Sequence, residues 1–250
     1  MAASESSPEP NEVVALIPAA GQGRRIGGTP KQFRRLGERS VLAQVLLLFE
    51  RHPTVGHVVV AAPSDEVQAV SDRLQSEGLS SLTEVVSGGD SRQSSVRRAL
   101  PAVPDTVNTV LVHDAARPFV SAAAVEEVIQ VVQAEGAASL AVPVADTVRR
   151  GDGETFGDLV PRDDLYRMQT PQGCRRSWLE DAHRRAVAEG VQATDDVALV
   201  QRLGHAVHIV EGHRRNFKIT TPDDWARAQQ LWPAWRDAPE RMRVPSAEAP

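Results

Sequence analysis

Two lysines stand apart in a chain that otherwise carries its positive charge on arginine. Of 28 basic side chains, 26 are Arg, and the two Lys are Lys31 and Lys218. Lysine offers a compact ammonium on a flexible stem, which the planar arginine fork does not copy. Each Lys is therefore a candidate functional position. Lys31 closes a loop of small and basic residues, Pro18-Ala19-Ala20-Gly21-Gln22-Gly23-Arg24-Arg25-Ile26-Gly27-Gly28-Thr29-Pro30-Lys31. Small residues let backbone N–H groups come close to a phosphate, and Arg24, Arg25 and Lys31 add charge. The spacing is not that of a GxxxxGK[ST] loop. It is not a dinucleotide fingerprint either, because Ile26 stands where a third glycine belongs. A second loop, Ser87-Gly88-Gly89-Asp90-Ser91-Arg92-Gln93-Ser94-Ser95, leads two glycines into a helix start. That arrangement suits a phosphate or a base edge, or ordinary helix capping. In His113-Asp114-Ala115-Ala116-Arg117 an acid sits beside small residues. It could serve a hydrated Mg²⁺ or a ribose hydroxyl, or simply pair with Arg117. Asp146-Thr147, Arg162, Thr170-Pro171-Gln172, Thr194-Asp195-Asp196 and the Asn216–Thr220 segment add further polar and basic groups.

No nucleophile–base pair accompanies these segments. His113 adjoins Asp114, but no exposed Ser or Cys elbow goes with it. The single cysteine, Cys174, reads as structural, and the 7 His show no HxxxH or HExxH spacing, so no transition-metal site is expected. Phosphoryl or nucleotidyl transfer needs positioning and charge neutralisation more than a covalent residue. The residue set fits that demand.

The elements that must hold these loops alternate. Apolar runs at Val13–Ile17, His57–Ala61, Glu84–Val86, Val107–Val112, Ser139–Val144 and His205–Val210 read as strands. Helices are expected from Ser40 to Arg51, Ser64 to Ser76, Asp90 or Ser91 to Leu100, and Ser121 to Glu135. Others run over Arg175–Glu189, from Thr194 to Leu203, and from Thr221-Pro222 onward. Such alternation implies an α/β fold, a mostly parallel sheet with helices on both faces. Ligands then bind outside the carboxyl ends of the strands, where the unusual loops lie. One polar stretch, Asp146–Asp163, breaks the rhythm. It holds a GDGE turn signal and reads as a two-stranded ribbon outside the sheet. Such a ribbon is marginal alone, and a second subunit is the simplest thing for it to pack on.

A net charge of −5 argues against a chain dominated by nucleic-acid binding. No apolar run of about 18 residues occurs, so no membrane-spanning segment is expected. The polar, acidic N-terminus has no signal-peptide pattern, and a cytoplasmic location is expected. Residues 1–11 read as disordered, 12–236 as one domain with the arm at 146–163, and 237–250 as a disordered tail. Trp232 and Trp235 should pack the last helix onto the body.

Several pieces, in order, carry a family resemblance: PAAGQGRRIGGTPKQF, SGGDSRQSSV, VLVHDAARPFV, VPVADTVRR, the PR of VPRDDL, TPQG, TDDVALV and VEGHRRNFKITTPDDW. The chain resembles the 2-C-methyl-D-erythritol 4-phosphate cytidylyltransferases of the non-mevalonate isoprenoid pathway over about residues 13 to 225. The resemblance implies a Rossmann-like nucleotidyltransferase fold, CTP as substrate, Mg²⁺ as cofactor, and a homodimer whose β-arm completes the neighbouring site. In the implied reaction an oxygen of the substrate phosphate attacks the α-phosphorus in line, releasing pyrophosphate.

By the same resemblance, Arg25 and Lys31 match transition-state stabilisers, and Arg162 and Lys218 match residues that aim the substrate phosphate. Arg117, Asp146, Thr147, Thr170 and Thr194 match the rest of the substrate pocket. Ala19, Ala20, Gly21, Gly23, Gly89, Asp90, Arg92, Ser95, Asp114 and Ala115 match the nucleotide site, Asp114 also on the metal side. Arg162 and Thr147 would act across the dimer. Both lysines thus fall on the family's lysine positions. Ribitol 5-phosphate cytidylyltransferases share most of these motifs and remain the alternative. A nicotinamide-dependent oxidoreductase would need an acid after the second strand, where Ala61-Ala62-Pro63 stands.

Overall fold

A strand with no polar residue to turn toward water must be covered on both faces. The chain places β1 (Val13–Pro18) accordingly, inside a seven-stranded sheet. The structure, a computed structural model, describes residues 13–21, 30–79 and 83–244. After β1 come a short hairpin, β2 (Arg35–Leu36) and β3 (Arg39–Ser40), then α1 (Val41–Glu50), β4 (Val55–Ala62), α2 (Val67–Ser76), β5 (Thr83–Ser87) and α3 (Arg92–Ala99). Next are β6 (Thr109–Val112), α4 (Ala122–Glu135), β7 (Ala137–Pro143), β8 (Val148–Gly151), β9 (Phe156–Val160) and β10 (Tyr166–Arg175). The chain continues with α5 (Arg176–Ala188), α6 (Asp196–Arg202), β11 (His208–Glu211) and α7 (Pro222–Arg236).

The sheet order is β11-β7-β10-β6-β1-β4-β5. The β1/β4, β1/β6, β4/β5 and β7/β11 pairs are parallel, and β10 runs antiparallel to both its neighbours. β1 divides its side chains between two layers. Val13, Ala15 and Ile17 meet residues of α1, α2 and α4; Val14 and Leu16 meet those of α3, α5 and α6. Each fully buried aliphatic side chain of this kind contributes about 2 kcal/mol. A third cluster joins α7 to the β2–β3 hairpin through Leu36, Phe119, Trp232 and Trp235, and Trp235 donates its indole N–H to the Pro118 carbonyl at 3.1 Å. The two tryptophans thus pack the last helix as expected.

Besides the unforeseen β2–β3 hairpin, the structure departs from the sequence expectations at four places. β10 was not expected as a strand. Its inner residues Gln169, Thr170 and Gln172 are polar yet buried, so no apolar alternation announces it. Pro171 sits where the ladder to β7 breaks, between Met168 and Gln172, the position a strand proline can occupy. Ser64 does not cap α2, which starts at Val67 without a side-chain cap; a turn closed by Glu66 N–H on the Pro63 carbonyl (3.0 Å) precedes it. Asp195, not Thr194, caps α6, accepting from the Ala198 N–H at 3.0 Å. Finally, residues 237–244 of the expected tail are folded. Arg241 lies over the Trp232 ring (4.7 Å) and donates to Gln44 Oε1 at 2.8 Å, while Met242 and Val244 pack on the core. Residues 1–12 and 245–250 lie outside the described residues.

The ribbon forms as the turn signal implied. β8 and β9 pair with each other alone, and Asp152 Oδ1 accepts the N–H groups of Glu154 (3.0 Å) and Thr155 (2.7 Å) in the connecting turn. Phe156 and Leu159 on it are 85% and 56% exposed. Among the described residues no helix is long and apolar enough to cross a membrane.

Candidate functional site

The carboxyl ends of β1, β5 and β6 open onto a cleft of about 300 Å³. Its floor is backbone and small side chains: Ala19, Ala20 and Gly21 after β1, Gly89 after β5, Ala115 after β6. Gln32, buried in the turn that follows Lys31, holds the first of these loops. Its side-chain amide donates to the carbonyls of Ala19 (2.9 Å) and Gly21 (2.8 Å). The second loop needs its glycines. A Cβ on Gly88 would sit 2.7 Å from the Ala20 Cβ and 2.9 Å from the Ala62 carbonyl oxygen, and one on Gly89 2.7 Å from the Ser94 Cβ. Ser95 closes that loop, accepting from the Gly89 N–H at 3.0 Å and donating its hydroxyl toward the Ser91 carbonyl at 2.8 Å. Ser91 caps α3 reciprocally with Ser94. Asp90 and Lys31 line the opening.

Asp114 organises the charge. Its Oδ1 takes Nε of Arg92 at 3.2 Å; its Oδ2 takes Nε of Arg117 at 3.1 Å and Nζ of Lys218 at 3.1 Å. Burial opposes ionisation here, but Lys218, Arg92 and Arg117 outweigh it and hold the carboxyl far below the usual range. A buried charge is tolerable only when partnered in this way. Its backbone is fixed too. The Asp114 N–H donates to Thr170 Oγ1 at 3.0 Å, and Thr170 Oγ1 in turn reaches His113 Nδ1 at 3.1 Å. His113 Nε2 faces the Arg117 carbonyl at 3.1 Å. A carbonyl only accepts, so Nε2 carries the proton and Nδ1 accepts from Thr170. Burial lowers the His113 pKa to about 4, which keeps this neutral form at physiological pH.

A second cleft of about 390 Å³ adjoins the first, with Lys218 lining both. Arg117, Asp146, Arg167, Arg214 and Arg227 also line it. Arg117 is anchored by the carbonyls of Asn216 (2.9 Å) and Met168 (3.3 Å). Asn216 in turn donates to the Thr170 carbonyl at 2.9 Å. The two clefts therefore share one ammonium and one carboxylate-centred cluster. Such an arrangement can hold two anionic groups side by side and stabilise charge that builds between them.

The family model for 2-C-methyl-D-erythritol 4-phosphate cytidylyltransferase matches residues 13–232. The chain belongs to this family. The Salinibacter ruber enzyme of that name is 70% identical over 94% of this chain and 99% of its own length. The Deinococcus radiodurans enzyme is 46% identical over 87% of this chain and 88% of its own. The crystal structure of a Thermus thermophilus enzyme of the same name superposes with a TM-score of 0.74 at 38% identity, covering 89% of this chain and 99% of that one. Membership makes the chain a nucleotidyltransferase, and it supports a methylerythritol phosphate rather than a ribitol phosphate acceptor.

For this cytidylyltransferase the structure brings together most of the expected site. Ala19, Ala20, Gly21, Lys31, Gly89, Asp90, Arg92, Ser95, Asp114, Ala115 and Lys218 line the first cleft, and Arg117 and Asp146 join Lys218 at the second. Gly23 and Arg25 lie outside the described residues. Thr170 is buried behind Asp114 rather than on a cleft wall. Thr147, Arg162 and Thr194 line neither of these two clefts; Arg162 donates to the Ala145 carbonyl at the base of the arm. The metal expectation falls on Asp114, which lines the first cleft. Both its oxygens are engaged by cations, and no group of three metal-ligating side chains occurs among the described residues. Cys174 is buried in β10, and burial pushes its thiol pKa up, as suits a structural residue. Sequence reading missed Gln32, which adjoins Lys31. Gln172, Asn216 and Asp196 were named only within polar segments, and nothing in their type says that they are buried.

Proposed function

We propose that the first cleft takes CTP, the second takes 2-C-methyl-D-erythritol 4-phosphate, and Lys218 on Asp114 sits where the two phosphates meet. The observation that carries this reading is that Lys218 lines both clefts while its Nζ lies 3.1 Å from Asp114. The small-residue floor admits a nucleotide, and the basic wall of the second cleft suits a phosphate monoester. An oxygen of the acceptor phosphate attacks the α-phosphorus, the bond to the bridging oxygen breaks, and pyrophosphate leaves with the electron pair. Lys31 and Arg25 then neutralise charge on the five-coordinate phosphorus and the departing pyrophosphate. Arg117 and Lys218 hold the acceptor phosphate in line. No group on the protein needs to become covalently attached.

The chain acts as a homodimer in this reading. Phe156 and Leu159 on the arm are covered by the partner, and Thr147 and Arg162 complete the partner's second cleft. Their absence from the clefts of their own chain and the exposed apolar arm support this. The decisive assay is pyrophosphate release with CTP and magnesium chloride, offering methylerythritol 4-phosphate and ribitol 5-phosphate in parallel. Turnover with the first alone is expected; turnover with ribitol phosphate alone replaces the acceptor, and silence with both removes the reading. For the shared site, Arg162→Ala chains mixed with Lys31→Ala chains should regain partial activity. No recovery after demonstrated subunit exchange contradicts it.

A further inference from the structure

Asp196 is an acid that the two clefts leave unused. It is 3% exposed, lines neither cleft, and opens α6. All its polar atoms are engaged. Oδ2 takes Nη1 of Arg92 at 2.6 Å, Oδ1 takes Nε2 of His183 at 3.1 Å, and its N–H donates to Gln172 Oε1 at 3.0 Å. Burial works against its ionisation, yet Arg92 and His183 hold the carboxyl below its ordinary range.

Arg92 is the other half of the arrangement. It lines the nucleotide cleft, and among the described residues its guanidinium is held at two points: Nε on Asp114 at 3.2 Å and Nη1 on Asp196 at 2.6 Å. Its Nη2 is buried and finds no partner among the described residues. An arginine keeps its charge at any accessible pH. If one anchor goes, the guanidinium can turn about the other, and it turns beside the cleft. The Asp196 contact is the shorter of the two, so it is the stronger hold.

We propose that Asp196 is a positioning residue for nucleotide binding, acting through Arg92 and braced from behind by His183 and Gln172. Two carboxylates from distant parts of the sequence, Asp114 after β6 and Asp196 at the start of α6, set the plane of one guanidinium at the cleft wall. The division also spares Asp114. With Asp196 sharing Arg92, Asp114 keeps Oδ2 for Arg117 and Lys218. The inference rests on the reading of the first cleft as the CTP site.

The test is a double-mutant cycle on the KM for CTP with Asp196→Asn, Arg92→Gln and the pair. Asp196→Asn keeps the shape and removes the charge. The expected result is a CTP KM raised about 10-fold or more, with a smaller change in the acceptor KM. The double variant should be no worse than Arg92→Gln alone, because the two act as one unit. Effects that multiply would show that Asp196 does not act through Arg92 and would overturn the proposal. An Arg92→Gln variant with an unchanged CTP KM would instead remove the nucleotide-cleft reading itself, so the two failures are distinct. If Asp196→Asn does not fold by thermal denaturation, the cycle is run with Asp196→Glu, which keeps the buried charge and displaces Arg92. An unchanged CTP KM in that variant would equally count against Asp196.

Discussion

The two clefts meet at one lysine and are built in opposite ways. The cleft proposed for the nucleotide is walled by backbone, glycines in close contact, and a side-chain amide clamped onto two carbonyls. At its wall the buried Asp114 is partnered by Arg92, Arg117 and Lys218, and Arg92 in turn by the buried Asp196. The cleft proposed for the acceptor is walled by exposed arginines, Arg167, Arg214 and Arg227, and an exposed acid, Asp146. The contrast separates two jobs. A reacting triphosphate needs charge that does not reorganise as bonds change, and a fixed, low-dielectric cluster supplies it. A small phosphorylated alcohol needs attraction and alignment, which exposed cations on long stems provide with more freedom and more screening.

The largest effect should come from the fixed side. Lys31→Ala is expected to lower kcat about 10²-fold or more with little change in the KM for CTP, since preorganised charge acts mainly on the transition state. Steady-state pyrophosphate release checks this, and unchanged turnover would break the contrast. On the adaptable side, Arg214→Ala should raise the acceptor KM by only about 2- to 5-fold at low ionic strength, and the difference should fade as salt is added. Salt-independent loss would place Arg214 in a fixed network instead.

A further effect is on stability rather than turnover and belongs to the buried support of Asp114. His113 titrates near 4 in the folded chain because it is buried, against an unfolded value near 6.5. Between those two pH values the unfolded state binds the proton and the folded state does not. Stability is therefore lost as pH falls from about 6.5 to 4, by up to about 3 kcal/mol. His52, also lowered by burial, adds in the same direction. Asp114 and Asp196, whose pKa values are depressed, begin to cost stability only below about pH 4. Denaturant unfolding should show a flatter pH profile in His113→Asn than in the unsubstituted chain, and identical slopes would exclude this account of His113.

The contrast also decides what was legible in the sequence. The nucleotide cleft lies on loops directly after β1, β5 and β6, strands that read as apolar runs, so position and residue type pointed the same way. The two lysines were visible because arginine fills nearly every other basic position. The acceptor cleft draws on β7, β10, the segment after β11 and α7, and β10 hides its strand character behind buried Gln169, Thr170 and Gln172. Buried polar residues carry no hydrophobic period, and whether an acid such as Asp196 is exposed or buried depends on partners from other elements. Arg92, Gln172 and His183 come from three different ones. The fold class and the nucleotide loops could be read locally; the network that holds them could not.

The claim that two substrates meet at Lys218 is tested most directly by titrating each substrate against Lys218→Ala. The account predicts an acceptor KM raised about 10-fold or more, with a clearly smaller change in the KM for CTP. An effect confined to CTP would contradict it.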